Sequence, residues 1–279
     1  LEFRRVLFRS GTDLVKIMTY NLLNYPDASN LTVDTSTRNP FYRTSMAAAD
    51  PDIICIQELT SVNGLNFFLN NVMNANGNNY AGGTFIDGFD SDNGCIYKPS
   101  KFTFISNTRI KTDLRDINEF KLVHILSGDT IRLYSVHLKA SNTAPDEAQR
   151  SLEVDTLRKI TDALPVGSKF IVLGDFNIYK STESAYQKLL ALDTIGEGQF
   201  YDALTMTGTW NNSSYAPNHT QSTRIRAFGG GSTGGLNDRF DLLLFSKSIQ
   251  QGTSISYVPG SMTPFGNDGQ HNGDSINMQ

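Results

Sequence analysis

Apolar and polar positions along the chain follow two alternating rhythms. Residues 14–23 (LVKIMTYNLL) alternate at first and are rich in β-branched and aromatic side chains, which predicts a strand. Residues 52–59 (DIICIQEL) form a short unbroken apolar run, the pattern of a strand covered on both faces. Residues 94–106 read as two strands broken at Pro99-Ser100, and residues 120–140 as a hairpin around Ser127-Gly128-Asp129. Residues 169–177 (KFIVLGDFN) and 238–246 (DRFDLLLFS) predict two further strands. Between them lie helical stretches. Residues 42–49 stop before Asp50-Pro51, and residues 62–75 repeat Leu65, Phe68, Leu69 and Val72 at helical spacing. Residues 145–164 begin with Pro145 in the first turn and place Ala148, Leu152, Leu157, Ile160 and Leu164 on one side; residues 182–192 predict one more helix. Strands joined both by hairpins and by helices argue for a mixed, layered α/β domain.

Composition narrows the picture. The chain has 279 residues, 39% hydrophobic and 19% charged, ordinary values for a globular domain. No apolar run approaches a membrane span, so no membrane partner is expected, and a monomer is. The net charge of −4 gives no global attraction to polyanions; a nucleic-acid partner would need a local basic patch or a bound cation. Residues 1–10 (LEFRRVLFRS) look foreign to the rest of the chain and are read as a non-native or processed leader, leaving one domain over 11–279 whose C-terminus is expected to be truncated or to continue in a further segment. Cys55 and Cys95 lack metal-site spacing and are read as buried free thiols, with a cross-strand disulfide as the alternative. Abundant Asn and sparse Lys point loosely to a secreted or periplasmic protein and leave a cytoplasmic one open.

Polar groups recur where these strands end. Asn21 closes the first, Glu58 the second, His137 the hairpin, and Asp175 and Asn177 the KFIVLGDFN run, while Asp241 opens the last. Singly, each has an ordinary structural explanation as a turn, a cap or a satisfied core residue. Together they are costly to bury unless they serve one another or a cation. Their oxygen donors suit Mg²⁺, Mn²⁺ or Ca²⁺ better than Zn²⁺. A histidine beside carboxylates can move protons near neutral pH. A hard cation with these groups is equipped for phosphoester hydrolysis.

The motifs TYNLLNY, IICIQEL, SVHLKA, VLGDFN and DRFDLLL, in that order, resemble the endonuclease/exonuclease/phosphatase superfamily with its deoxyribonuclease I-like fold. The resemblance implies a four-layer α/β/β/α sandwich: two mixed β-sheets packed face to face, with the site at the strand ends. It implies that Glu58 binds the metal and that Asn21 binds the metal or orients its water. Asp175 would hold or deprotonate the attacking water, Asn177 would donate to a phosphate oxygen, and His137 would stabilise the phosphate or donate a proton. Asp241 would orient a final histidine. The family's closing Ser-Asp-His is altered here to GNDGQHNGDSINMQ, so His271 is the candidate histidine, and Asp268 is the candidate metal ligand with Asp274 competing for the role.

Other residues carry less. His124 reads as a core histidine, His219 as a polar-loop residue able to reach the site, and Tyr97 as packing. Arg224, Arg226 and Arg239 flank a Gly-rich loop at 227–235 and read as solvated surface or as an anion-binding rim, and Arg150 and Glu153 as a surface pair. The expected function is a metal-dependent phosphodiester hydrolase, foremost an endonuclease-like nuclease using Mg²⁺ (or Mn²⁺, with Ca²⁺ open). The alternatives are an enzyme on a small or lipid phosphoester and a non-catalytic binding module on the same fold.

Overall fold

The structure is a computed structural model that describes residues 3–26, 35–223, 225, 231–252 and 254–269. In chain order the strands of the first sheet are β1 (Phe3–Ser10), β2 (Asp13–Tyr25), β3 (Ile53–Leu59), β4 (Ala81–Gly82) and β5 (Asp92–Tyr97). The second sheet begins with β6 (Phe102–Ile110), β7 (Ile117–His124), β8 (Thr130–His137) and β9 (Lys169–Asp175), and is completed by β10 (Phe200–Tyr201) and β11 (Asp241–Ser246). The chain then returns to the first sheet with β12 (Ile255–Tyr257) and β13 (Thr263–Phe265). Both sheets are mixed: β2 runs parallel to β3 and β8 parallel to β9, while their other pairs are antiparallel. The strand orders are β12-β1-β2-β3-β5-β4, with β13 also on β1, and β10-β11-β9-β8-β7-β6.

Three apolar clusters make the layers. The inner one joins Phe8, Ile17, Ile53 and Cys55 of the first sheet to Phe120, Leu133, Ile171 and Leu243 of the second. Outside the first sheet, α1 (Thr35–Ala49) and α2 (Val62–Phe68) pack Tyr42, Met46, Leu65 and Phe68 against Met18, Ile54 and Ile56. Outside the second, α3 (Ala144–Thr161) and α4 (Ser184–Leu190) pack Val154, Leu157 and Leu189 against Tyr134, Phe170 and Val172. This is the expected α/β/β/α order. β3, buried at every position, is the doubly covered strand its unbroken apolar run predicts. α2 starts where Ser61 accepts a bond from the Gly64 backbone N–H, and a π-helical turn over Leu69–Met73 follows it.

The inter-sheet layer is not wholly apolar. Thr19 donates to Gln57 (3.1 Å), Gln57 to Ser135 (2.9 Å), Ser135 to Asn93 (3.0 Å), and Asn93 to Asn118 (3.0 Å). Asn118 passes the chain on to Asn107 (3.0 Å). This polar seam crosses from β2 and β3 to β8, returns to β5 and ends on β7 and β6. Each member satisfies its neighbour, as buried amides and hydroxyls must.

Four expectations are corrected. Residues 3–10 do not stand outside the fold: β1 pairs with β2, β12 and β13, Val6 and Phe8 enter the inner core, and buried Arg4 donates to the Asp241 and Asn218 carbonyls at 2.9 Å each. Its alternating Val-x-Phe positions supply an apolar face that outweighs the arginines. α3 is turned from its expected face: Leu152 is 56% exposed, whereas Arg150 and Glu153 are buried, not a surface pair. Arg150 instead binds Glu183 (2.5 Å) and the Lys139 and Ser141 carbonyls, and Glu153 accepts the Lys139 N–H (3.0 Å). Arg239 is neither surface nor rim; it is fully buried, bidentate to Asp202 (2.8 and 2.9 Å) and seated over Trp210. His219 is buried too, bonding the Trp210 carbonyl at 2.9 Å. Arg224, Arg226 and most of the Gly-rich loop lie outside the described residues.

Cys55 and Cys95 are free thiols directly opposite each other on β3 and β5. His124 is the core histidine expected, bonded to Asp13 and Ser127, and Tyr97 packs on Phe104.

Candidate active site

The site forms where four parallel-running strand ends meet, two from each sheet. β2 and β3 each carry a register irregularity just there, between Asn21 and Tyr25 and between Ile56 and Leu59. Bulges of this kind re-aim side chains at sheet ends. Glu58, at φ 60°, and Asn177, at φ 50°, hold a backbone conformation that non-glycine residues adopt at a cost, one that clusters at functional sites. Gly174 shows why its motif needs a glycine: a Cβ there would lie 2.0 Å from the Val136 carbonyl oxygen, and its φ is +141°. β9 thus approaches β8 closely enough to put Asp175 level with His137.

Asn21 links the two sheets' carboxylates. Its Nδ2 donates to Glu58 Oε1 (2.8 Å) and to Asp175 Oδ2 (3.1 Å). Its Oδ1, the atom expected to serve a metal, accepts the Leu23 N–H at 2.9 Å, so its bonds display an orienting role. Glu58 Oε2 accepts the Asn24 N–H (3.0 Å). Asp175 Oδ1 accepts the Asn177 N–H (3.1 Å), and Asn177 Nδ2 donates to the Leu138 carbonyl (3.1 Å). His137 Nε2 stands 3.9 Å from both Glu58 Oε1 and Asp175 Oδ2.

Burial sets the charge balance. It pushes the Glu58 carboxyl up; the Asn21 hydrogen bond opposes this and the Asp175 charge adds to it. Burial likewise raises Asp175, against the bonds from Asn21 and Asn177. His137 is held well below its usual range, first by burial and then by the Arg115 guanidinium. A buried and a largely buried carboxylate short of positive charge, with hard oxygen donors, fit a divalent cation. Among the described residues no three His, Cys, Asp or Glu side chains form a ligand cluster. Magnesium needs no such cluster: it commonly takes one or two carboxylates and fills its remaining positions with water and substrate phosphate.

Asp241 opens β11 directly opposite Asp175 and is buried. Asp268 is exposed, after an Asn267 that is tied to the Ala216 and His219 carbonyls, and it does not join Glu58 and Asp175 in a ligand cluster. His271 and Asp274 lie outside the described residues. The residue that sequence reasoning missed is Arg115, whose Nε lies 3.4 Å from His137 Nδ1. One signal was available. The β7–β8 register pairs Asn118 with Ser135, which brings the residues just before β7 level with His137.

The model of the Endonuclease/Exonuclease/phosphatase family matches residues 18–261. No curated protein sequence matches the chain. Among solved structures, a D. rerio TDP2 humanized by 14 mutations superposes with a TM-score of 0.56 at 18% identity, covering 83% of each chain. D. rerio TDP2 is also similar in its complex with a single-strand DNA product, at 16% identity, a TM-score of 0.55 and 83% coverage of each chain. A mannosyl-6-phosphatase of Bacteroides thetaiotaomicron is similar at 16% identity and a TM-score of 0.51, covering 90% of this chain and 97% of its own. These likenesses show the deoxyribonuclease I-like fold, and the family match spans most of the chain. The chain belongs to the endonuclease/exonuclease/phosphatase family.

Proposed function

We propose that the chain is a divalent-metal-dependent phosphodiesterase whose substrate class is nucleic acid. Family members are phosphoester hydrolases and generally use divalent ions. The observation that carries the reading is the meeting of Glu58, Asp175 and His137, contributed by both sheets, within 3.9 Å. Glu58 and Asp175 would hold the cation, which supplies positive charge to phosphate oxygens when bound. Mg²⁺ suits the carboxylate pair, and Mn²⁺ or Ca²⁺ would use the same donors.

The chain's own groups divide the remaining work. Asp175 Oδ1 is pinned by Asn177, and Oδ2 faces Asn21 and His137. Held in this way beside the cation position, Asp175 is placed to orient the attacking water or to take its proton. An arginine N–H can only donate, so the contact with Arg115 makes His137 Nδ1 an acceptor and leaves the imidazole proton on Nε2. Neutral His137 can therefore donate to a phosphate or leaving-group oxygen. Asn177 commits one amide hydrogen to Leu138 and keeps the second for a phosphate oxygen. Asp241, beside Asp175, would orient His271.

TDP2 with its DNA product supports nucleic acid as the substrate class for this fold. A second reading, a phosphatase on a small phosphomonoester, draws on the mannosyl-6-phosphatase likeness and on the pairing of two lysines. Lys139 and Lys180, which come shortly after the site residues in the chain, are already paired with Asp146 and Glu147. Hydrolysis of bis-p-nitrophenyl phosphate with and without Mg²⁺ or Mn²⁺, then plasmid nicking, tests the first reading. Preference for the p-nitrophenyl monoester would move the assignment to the phosphatase. No metal-dependent turnover of any ester, with Glu58→Ala behaving as the parent, would leave a binding module.

A further inference from the structure

Buried arginines elsewhere in the chain are tightly engaged. Arg150 binds Glu183 and two carbonyls, Arg239 grips Asp202 with both arms of its fork, and Arg158 binds Asp162 at 2.8 and 3.0 Å. Arg115 differs. Its side chain is only 10% exposed, yet its two polar neighbours are distant: His137 Nδ1 at 3.4 Å and Asp90 Oδ2 at 3.6 Å. Its Nη1 is buried without a partner among the described residues, as are Arg150 Nη2 and Arg239 Nε, but those two side chains have other nitrogens in bonds of 2.5–2.9 Å and Arg115 has none. A buried guanidinium left this loosely paired is costly, and a planar fork of donors matches a phosphoryl group in two places at once.

The position of Arg115 is built. The loop between β6 and β7 is folded on itself, with Thr112 Oγ1 donating to the Arg115 carbonyl (2.7 Å) and accepting the Leu114 N–H (3.2 Å). Its far side is anchored by Asn93 Nδ2 on the Asp116 carbonyl (3.0 Å) and by Arg109 on the Asp116 carboxylate (2.5 Å). Asn93 belongs to the inter-sheet seam, so the loop is tied to the joint between the sheets. Arg115 meets His137 through Nδ1, and the other ring nitrogen of that histidine, Nε2, stands 3.9 Å from both Glu58 and Asp175, so the guanidinium lies one imidazole away from the carboxylates.

We infer that Arg115 is a phosphate-binding residue of this site, whose fork takes non-bridging oxygens of the phosphoryl group while His137 donates from Nε2. The inference deepens the hydrolase reading and rests on it. Arg115 would bring positive charge to the phosphate from beside His137, and it would hold His137 in the donor tautomer.

The test compares the full chain with Arg115→Ala and Arg115→Lys in the presence of Mg²⁺. Inorganic phosphate is the probe, read by calorimetry and as a competitive inhibitor of bis-p-nitrophenyl phosphate hydrolysis. Arg115→Ala is expected to weaken phosphate binding about 30-fold or more and to lower kcat/KM by about 10²-fold. Added guanidinium should restore at least a several-fold part of the lost rate in Arg115→Ala, and none in the parent. Arg115→Lys should recover charge but not the two-pronged contact, and fall between. Asp90→Asn, which removes the competing carboxylate from a half-exposed position, should tighten phosphate about two-fold. Phosphate affinity in folded Arg115→Ala within two-fold of the parent, without guanidinium rescue, would overturn the inference and leave Arg115 a support for His137 alone. If the parent turns over no ester, the hydrolase reading fails, while calorimetry with phosphate still decides whether Arg115 binds the anion.

Discussion

The two ends of β3 carry acidic clusters of opposite character. Before its first residue, Asp52 is 1% exposed at the side chain and is gripped by Lys98 (3.0 Å), Lys101 (3.1 Å) and the Lys16 backbone N–H (2.9 Å). Asp50 binds Lys16 and Lys98, and Asp13 binds Lys101 and His124. Every carboxylate there has a cation, and Asp50 is pulled down to about 2 by its lysine bonds, which outweigh desolvation. At the other end Glu58 and Asp175 share one neutral amide, and burial leaves both raised. The same strand thus ends in a closed electrostatic circle at one side and an open one at the other. An open one persists only where something else, a cation or a substrate, closes it.

The largest effect expected from breaking the open end is Glu58→Gln. It should lower kcat/KM by about 10³-fold or more. Mg²⁺ is expected to raise the Tm of the parent and not that of Glu58→Gln, because ligand-linked stabilisation requires the ligand site. Without divalent ions, the Tm of Glu58→Gln should stay close to that of the parent, since losing one uncompensated buried charge offsets losing one of the two N–H bonds that the carboxylate accepts. A metal-free Tm well below the parent would contradict the comparison. Breaking the closed end is expected to do the reverse. Asp52→Ala should cost about 3 kcal/mol, as loss of one partner from a buried ion network does, and chemical denaturation would show it; kcat per folded molecule should stay within about two-fold.

Between the ends, Ser135→Ala removes a hydroxyl that accepts from Gln57 and donates to Asn93. It should cost about 2 kcal/mol, because two buried amides lose their partner. The smallest effect concerns pH. Asp50 has its folded pKa lowered from 3.8 to about 2, so its contribution is present above 3.8 and is lost as pH falls through that window. Asp50 is more than half exposed, and solvent screening keeps its share to less than about 2 °C in Tm. An acid-titration series of Tm for Asp50→Asn should accordingly run slightly flatter than the parent between those values.

The candidate site's carboxylates and amides were legible because they interrupt apolar runs, and a polar residue closing a buried strand is conspicuous. Glu58 after IICIQ and Asp175 after FIVLG stand out for that reason, and Gly174 is legible because only glycine allows the strand to pass so close to Val136. The charged residues of α3 mislead because helical spacing assumes that arginine and glutamate face water. Arg150 and Glu153 do not: the carbonyls of the segment after β8 and Glu183 satisfy them, and Leu152 turns outward in exchange. The arginines of β1 hide its nature in the same way, although Val6 and Phe8 mark a strand face. Arg115 sits in a short polar loop, where nothing local separates a solvated arginine from one folded back over a cleft. Only the hairpin register, a property of two strands together, reveals its neighbour.

The seam from Thr19 to Asn107 carries one last implication. Greasy faces pressed together resist separation but not creep, since sideways slippage changes little in the area they hide. The three donor–acceptor pairs that cross that plane, Gln57–Ser135, Ser135–Asn93 and Asn93–Asn118, work like the teeth of a key, because a shift of about an ångström would strand them together. Half of the candidate site rides on one slab and half on the other, so their alignment is a property of the joint rather than of either piece.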